Sequence, residues 1–231
     1  MADKRYVSTM FDNIAEKYDF LNHFLSFGID KYWRRRLVKE IKRHNPKNIL
    51  DIATGTGDMA IALIKTKANK ITGVDISQKM LEKGQQKIKK KHLENKIELQ
   101  YNDGESLNFD DNFFDAVTVA FGVRNFENLD NGLKEIYRTL KPNGVTAILE
   151  FSMPKNFIVR KFYSLYFFHI LPFFGKLFSK NKYAYSYLPQ SVKTFPKREE
   201  FLQHLHVAGF KQTRRISLTF GIAEIYIGNK N

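Results

Sequence analysis

The chain has 231 residues, 43% hydrophobic and 27% charged, a composition that folds around a core. It contains no cysteine, which excludes disulfides, thiolate metal ligands and cysteine nucleophiles. The N-terminus MADKRYVSTMFDN has no apolar signal core, and no apolar run reaches the roughly 18 residues of a membrane span, so a cytoplasmic protein is expected. The net charge of +14 is uneven: residues 1–150 carry 25 Lys/Arg against 21 Asp/Glu, whereas residues 151–231 carry 13 against 3 and hold 18 of the 33 aromatics. A basic, aromatic last third suits a membrane surface or a nucleic acid.

In chain order, residues 8–44 have helical spacing. Residues 48–52 (NILDI) form an apolar run that ends at Asp51 and Ile52 and meets Ala-Thr-Gly-Thr-Gly, the pattern of a buried strand entering a glycine turn. A helix follows over 58–66, with Asp58 read as its N-cap. Residues 70–75 (KITGVD) make a second strand, closed by an acid. Residues 77–91 predict a helix capped by Ser77, with Ile76, Met80, Leu81 and Ile88 on one face; the run Lys87-Ile88-Lys89-Lys90-Lys91 reads as its solvated end. Strands are expected at 96–101 and 113–121. A helix at 129–140 turns Leu133, Ile136, Tyr137 and Leu140 inward, stops at Lys141-Pro142-Asn143-Gly144, and leads to a strand at 145–151. After residue 197 come a helix (201–209) and two strands (210–218 and 221–228) that turn at Gly221. Apolar strands alternating with helices predict an α/β fold, a Rossmann-like, mostly parallel seven-stranded sheet with an antiparallel edge hairpin.

In an open parallel sheet, ligands bind beyond the carboxyl ends of the strands. Three polar clusters fall there: Asp51 to Asp58, Asp75, and Asp103-Gly104-Glu105. Gly55-Thr56-Gly57-Asp58-Met59-Ala60 satisfies the dinucleotide pattern G-x-G-x-x-A, with Asp75 placed to hold ribose hydroxyls. Yet a dinucleotide sets a pyrophosphate on the helix N-terminus, and the carboxylates of Asp51 and Asp58 beside it would repel that charge. They suit S-adenosylmethionine, which carries an ammonium, a sulfonium and a ribose diol but no phosphate. Asp51 would balance the ammonium, directly or through water; Gly55, Thr56 and Gly57 let the backbone approach; Asp75 takes the ribose. Asp103 and Gly104 meet the adenine edge, and Ala120, at the end of the fourth strand, completes the set.

Further motifs narrow the reading. Tyr18-Asp19-Phe20-Leu21-Asn22 with Leu25-Ser26 and Trp33, then Phe121-Gly122-Val123-Arg124-Asn125, then Arg138-Thr139-Leu140-Lys141-Pro142-Asn143-Gly144 running to Glu150-Phe151-Ser152, and Tyr187-Leu188 with Ser191 and Pro196 are all similar to segments of one family. From about residue 8 to 228 the chain resembles the ubiquinone/menaquinone biosynthesis C-methyltransferases, class I S-adenosylmethionine-dependent enzymes. Leu21 stands where the family signature has Met, and Asp30 and Tyr226 stand where many members have His, so neither of those two positions supplies an imidazole base.

The resemblance implies methyl transfer to a ring carbon of a polyprenylated quinol, with demethylmenaquinol to menaquinol favoured and a polyprenyl benzoquinol as the alternative acceptor. Arg124 would stabilise a quinolate oxygen and Asn125 orient it or a water; a salt bridge is the competing role for Arg124. Tyr18 is either a core aromatic or a contact of a helical lid over residues 1–45. Residues 46–152 then form the cofactor-binding core, 153–196 an aromatic and basic helical insertion, and 197–231 the helix and terminal hairpin of a single domain. The uncharged stretch Phe162–Gly175, flanked by Arg160, Lys161 and Lys176, is too short to span a bilayer and suits an interfacial element or an apolar substrate wall. A prenyl tail implies transient contact with the membrane surface and allows a peripheral place on its inner face. An RNA methyltransferase is the more distant alternative. The chain lacks the Asn/Asp-Pro-Pro-aromatic tetrapeptide, and without cysteine the adduct route to pyrimidine carbon 5 is closed, so no nucleic-acid partner is expected. His23 reads as a surface or packing histidine, no metal constellation is visible, and whether the chain forms a homo-oligomer is open.

Overall fold

The computed structural model describes residues 3–170 and 184–231. Seven strands form one sheet in the order β3-β2-β1-β4-β5-β7-β6. They are β1 (Asn48–Ile52), β2 (Lys70–Asp75), β3 (Ile97–Tyr101), β4 (Phe114–Ala120), β5 (Leu140–Phe151), β6 (Lys211–Leu218) and β7 (Ala223–Asn229). The first five pair in parallel; β7 runs antiparallel to both β5 and β6. The expected fold class is therefore the one observed. Chain order reverses between β1 and β4, so the loops leaving these two neighbours diverge and open a crevice at the carboxyl edge.

The helices are α1 (Lys4–Ile14), α2 (Tyr18–Leu25), α3 (Ile29–Lys42), α4 (Asp58–Leu63), α5 (Gln78–Lys90), α6 (Leu129–Thr139), α7 (Phe157–Leu165), α8 (Ala184–Thr194) and α9 (Glu199–Val207). Strand alternation divides the core between the two faces of the sheet. Ile49 points to the side of Trp33, Leu37 and Leu63, whereas Leu50 and Ile52 point to that of Leu133, Ile136 and Phe201. Helix α5 forms because Met80, Leu81, Gly84 and Ile88 share its buried face and the Ser77 hydroxyl accepts from the Met80 N–H.

Four local expectations change. The 58–66 helix is α4 followed by a 3-10 turn over Ile64–Thr66, and its N-cap is Gly57, in the left-handed conformation, rather than Asp58. The 77–91 helix does not end in solvent at Lys87, whose ammonium turns back to α2 and α4. Strand β5 begins at Leu140 instead of Val145; the register jumps from Phe114↔Leu140 to Ala116↔Val145, so Pro142 and Asn143 bulge out of a strand already begun. The edge hairpin turns through a 3-10 segment, Thr219–Gly221. Within the expected insertion, α7 ends at Leu165 and continues as a π-helical turn over Tyr166–Ile170. Residues 171–183, with Pro172, Gly175 and Lys176 of the uncharged stretch and its flank, lie outside the described residues.

Candidate functional site

The loop leaving β1 places three residues with positive φ in quick succession, Ala53, Gly55 and Gly57. This path brings the loop's amides toward the end of β2, where the Gly55 N–H donates to Asp75 at 2.8 Å. The second Asp75 oxygen accepts from the Ser77 N–H at 2.9 Å. The Ile76 amide also donates to this carboxylate, and burial raises the Asp75 carboxyl above its ordinary range. Asp51 lies deeper. It is fully buried, both its oxygens accept hydroxyl bonds of 2.7 Å from Thr54 and Thr118, and burial pushes it up to about 6.

A cavity of about 670 Å³, its open mouth included, lies over these strand ends. Five of the eight expected cofactor residues line it: Gly55, Asp75, Asp103, Gly104 and Ala120. Asp51, Thr56 and Gly57 do not line it; Asp51 stands behind the loop, and the Thr56 hydroxyl donates outward to Asp19 of α2. Helix α1 covers the opening: Ser8 donates to the Ile76 carbonyl, Asp12 accepts from the Ser77 hydroxyl, and Lys4 reaches Asp103 at 2.7 Å and Glu105 at 3.4 Å. Lys4 went unmarked in the sequence, where nothing ties it to a loop 99 positions away.

A second cavity, of about 690 Å³, shares Phe11, Tyr18 and Phe121 with the first, so these three side chains form the partition. Asn125 lines the first cavity and Arg124 the second, whereas Tyr18 faces both. The Arg124 guanidinium makes the salt bridge to Glu150, at 2.7 Å, and also bonds the Phe121 carbonyl and the Ser191 hydroxyl, with the Phe151 ring 5.5 Å away. Burial raises the Glu150 carboxyl, and Arg124 opposes that shift. Asn125 accepts from the Tyr187 hydroxyl at 3.1 Å. The segments Glu150-Phe151-Ser152 and Tyr187-Leu188 with Ser191 thus include the side chains that hold Arg124 and Asn125. Tyr226 is in the core, its hydroxyl accepting from the Arg198 N–H, away from both cavities.

Outside the glycine loop lies a charge cluster that the sequence did not announce. Asp30 is buried and accepts from Ser26 and Arg34; His23 bridges Asp30 at 2.9 Å and Asp58 at 3.5 Å; Lys87 joins Asp58 to Asp19. Burial works to raise Asp30, but Ser26, Arg34 and His23 together hold it below its usual range. His23 is therefore neither a free surface histidine nor simple packing. The ligand atoms of His23, Asp30 and Asp58 lie within 4.8 Å of one another. Arg34 and Lys87 already neutralise these carboxylates, so the cluster fastens α2 and α3 to the glycine loop without needing a cation.

Comparison with known proteins gives a consistent result. The model of the ubiE/COQ5 methyltransferase family matches residues 1–230. A demethylmenaquinone methyltransferase of Bacteroides fragilis is 47% identical over 225 residues, covering 97% of this chain and 92% of the relative. A ubiquinone/menaquinone biosynthesis C-methyltransferase of Geotalea daltonii is 47% identical over 226 residues, covering 97% and 96%. Among solved structures, a SAM dependent methyltransferase from Aquifex aeolicus superposes with a TM-score of 0.59 at 18% identity, covering 80% of this chain and 82% of that one, which is a likeness of fold.

Proposed function

This chain belongs to the ubiE/COQ5 methyltransferase family, and from that premise we propose that it transfers a methyl group from S-adenosylmethionine to the ring carbon of demethylmenaquinol, a 2-polyprenyl-1,4-naphthoquinol, yielding menaquinol. The observation that carries this reading is the pair of cavities meeting at Phe11, Tyr18 and Phe121, one lined by Asp75, Asp103 and Glu105 and the other by the guanidiniums of Arg124 and Arg34, the latter paired with Asp30.

The first cavity fits the donor by its chemistry. Asp75 would take the ribose diol, Asp103 and Gly104, on the same lining, would meet the adenine edge, and Asp51 lends negative potential from behind the loop. Bound there, S-adenosylmethionine supplies an electrophilic methyl on a positively charged sulfur. In the second cavity Arg124 stabilises the quinolate oxygen, which pushes electron density onto the adjacent ring carbon; that carbon takes the methyl as its bond to sulfur breaks, and the proton it carried is then released to water, which restores the aromatic ring. Asn125, fixed by Tyr187, orients the acceptor from the donor side, and Tyr18 and Phe121 keep water from the line of transfer.

Contact with a membrane surface belongs to the same reading. Ile158, Phe162 and Leu165 recur at helical spacing on α7 and are all exposed, beside Arg160 and Lys161. No helix among the described residues is long and apolar enough to cross a membrane.

The test is mass spectrometry of quinones from cells lacking the gene, paired with methyl transfer by the purified protein. Accumulated demethylmenaquinone and a methylated naphthoquinol in vitro are expected. Methylation of a polyprenyl benzoquinol as well would widen the acceptor range, and methylation of RNA alone would overturn the proposal.

A further inference from the structure

A third cavity, of about 790 Å³, adjoins the acceptor chamber, sharing Phe151, Leu188, Asn22 and Ser26 with it. Beyond those residues the material changes. The walls are Trp33, Tyr163, Tyr166, Phe167 and Ile222, with Phe27 and Ile29 at the exposed end. Of the polar groups here, the Trp33 indole N–H donates to Thr219 at 2.7 Å and the Ser26 hydroxyl to Asp30 at 2.7 Å, whereas the buried Tyr163 hydroxyl has no partner among the described residues. Most of the wall is aromatic or aliphatic and offers carbon contacts to whatever enters.

Phe27 adds a second observation. Its φ is +51°, a region that aromatic side chains rarely adopt, and it is 79% exposed. Burial does not explain the ring and local sterics disfavour the backbone, yet the ring is held over the cavity against Tyr166, with 6.1 Å between centroids.

Resting on the quinol reading above, we infer that this third cavity is the subsite for the isoprenoid tail of the acceptor. The tail runs from the ring chamber at Phe151 and Leu188, past Trp33, to a mouth at Phe27 and Ile29. A slender, branched, uncharged chain attached to a ring beside Arg124 is the ligand that matches an apolar passage continuous with that chamber.

Trp33 is the only tryptophan in the chain, so its emission reports on the cavity it lines. Titration of the purified protein with farnesol, an isoprenoid alcohol with no quinone ring, should change that emission saturably. No saturable change, or a response of equal strength to dodecanol, a straight chain of the same length, overturns the assignment. A second measurement uses Phe27→Asn, since Asn tolerates positive φ. The ratio of kcat/KM for a prenylated demethylnaphthoquinol to that for 2-methyl-1,4-naphthoquinol should fall about fivefold, the loss of one aromatic contact. An unchanged ratio counts against the subsite while methylation of both acceptors upholds the enzyme reading. Saturable farnesol binding with neither acceptor methylated would keep the isoprenoid site and sink the quinol reading instead.

Discussion

At the carboxyl edge of β1, β2 and β3 the site is made of acids held in place by short polar bonds: Asp51 by two threonine hydroxyls, Asp75 by two backbone amides, Asp103 by Lys4 and the Glu105 N–H. Across Tyr18 and Phe121 aromatic and aliphatic side chains make up most of the walls, and two ion pairs stand among them, Arg124–Glu150 and Arg34–Asp30. In the proposed function each side matches its ligand. A cationic donor with a ribose diol is then selected by fixed charge, where small displacements cost dearly. In the same proposal an apolar acceptor is selected by shape, with the Arg124 guanidinium where oxyanion character develops.

The contrast can be broken at its strongest points first. Glu150 is fully buried and Arg124 nearly so; Glu150→Ala leaves a guanidinium in the interior without its counter-charge and should destabilise the fold by about 4 kcal/mol in urea unfolding. Glu150→Gln, which keeps an acceptor for the Arg124 and Phe151 amides, should recover part of that loss. A loss below about 1 kcal/mol for the alanine variant would mean that the pair does not organise the acceptor side. On the donor side, Asp75→Ala removes two charged acceptors for the ribose, and S-adenosylmethionine affinity should fall by about 3 kcal/mol, more than a hundredfold, by calorimetry. Farnesol binding should not change; a parallel loss of both would show that the two halves are one cooperative unit.

The two halves were also unequally legible. Asp51, Asp75 and Asp103 could be placed from sequence because strand ends of a parallel sheet fall in register, so that three short apolar runs suffice to align them. The salt-bridge role of Arg124 was foreseen as an alternative, but its partner Glu150 was not, since an acid near a strand end looks the same whether or not it faces an arginine. The Asp19–His23–Asp30–Arg34–Asp58–Lys87 cluster was invisible for a further reason. Its members lie on four helices, and contacts such as Lys87 to Asp19, 68 positions apart, leave no local period to detect. The strand at 140–151 was shortened because Lys-Pro-Asn-Gly is turn chemistry, and here a bulge uses the same residues inside the strand.

Asp51 sharpens the comparison through pH. Its carboxyl is raised to about 6, so the native state holds a proton that the unfolded chain has already released above about pH 4. Its contribution to stability therefore falls as pH rises from about 4 to 6 and levels off beyond, and Asp51→Asn should remove this component of the slope. A cationic donor favours the ionised form. S-adenosylmethionine affinity should then weaken by up to about tenfold for each pH unit below 6 in the native protein, and less steeply in Asp51→Asn, where Asp75 is the raised carboxyl that remains on the donor side. An identical pH profile in both would mean that the buried acid does not sense the donor's charge.

The smallest expected effect tests where the apolar half meets its surroundings. Lys161 is exposed on α7 next to Phe162, in a helix with no buried residue. A basic residue near an anionic bilayer contributes about 1 kcal/mol, so Lys161→Ala should weaken binding to phosphatidylglycerol vesicles about fivefold, an effect that added salt diminishes. Replacing the exposed Phe162 by Ser should weaken the same binding without altering its salt dependence, because an apolar contact is not screened. If vesicle binding is insensitive to both changes, α7 does not face lipid, and a prenylated acceptor must reach the mouth at Phe27 by another surface.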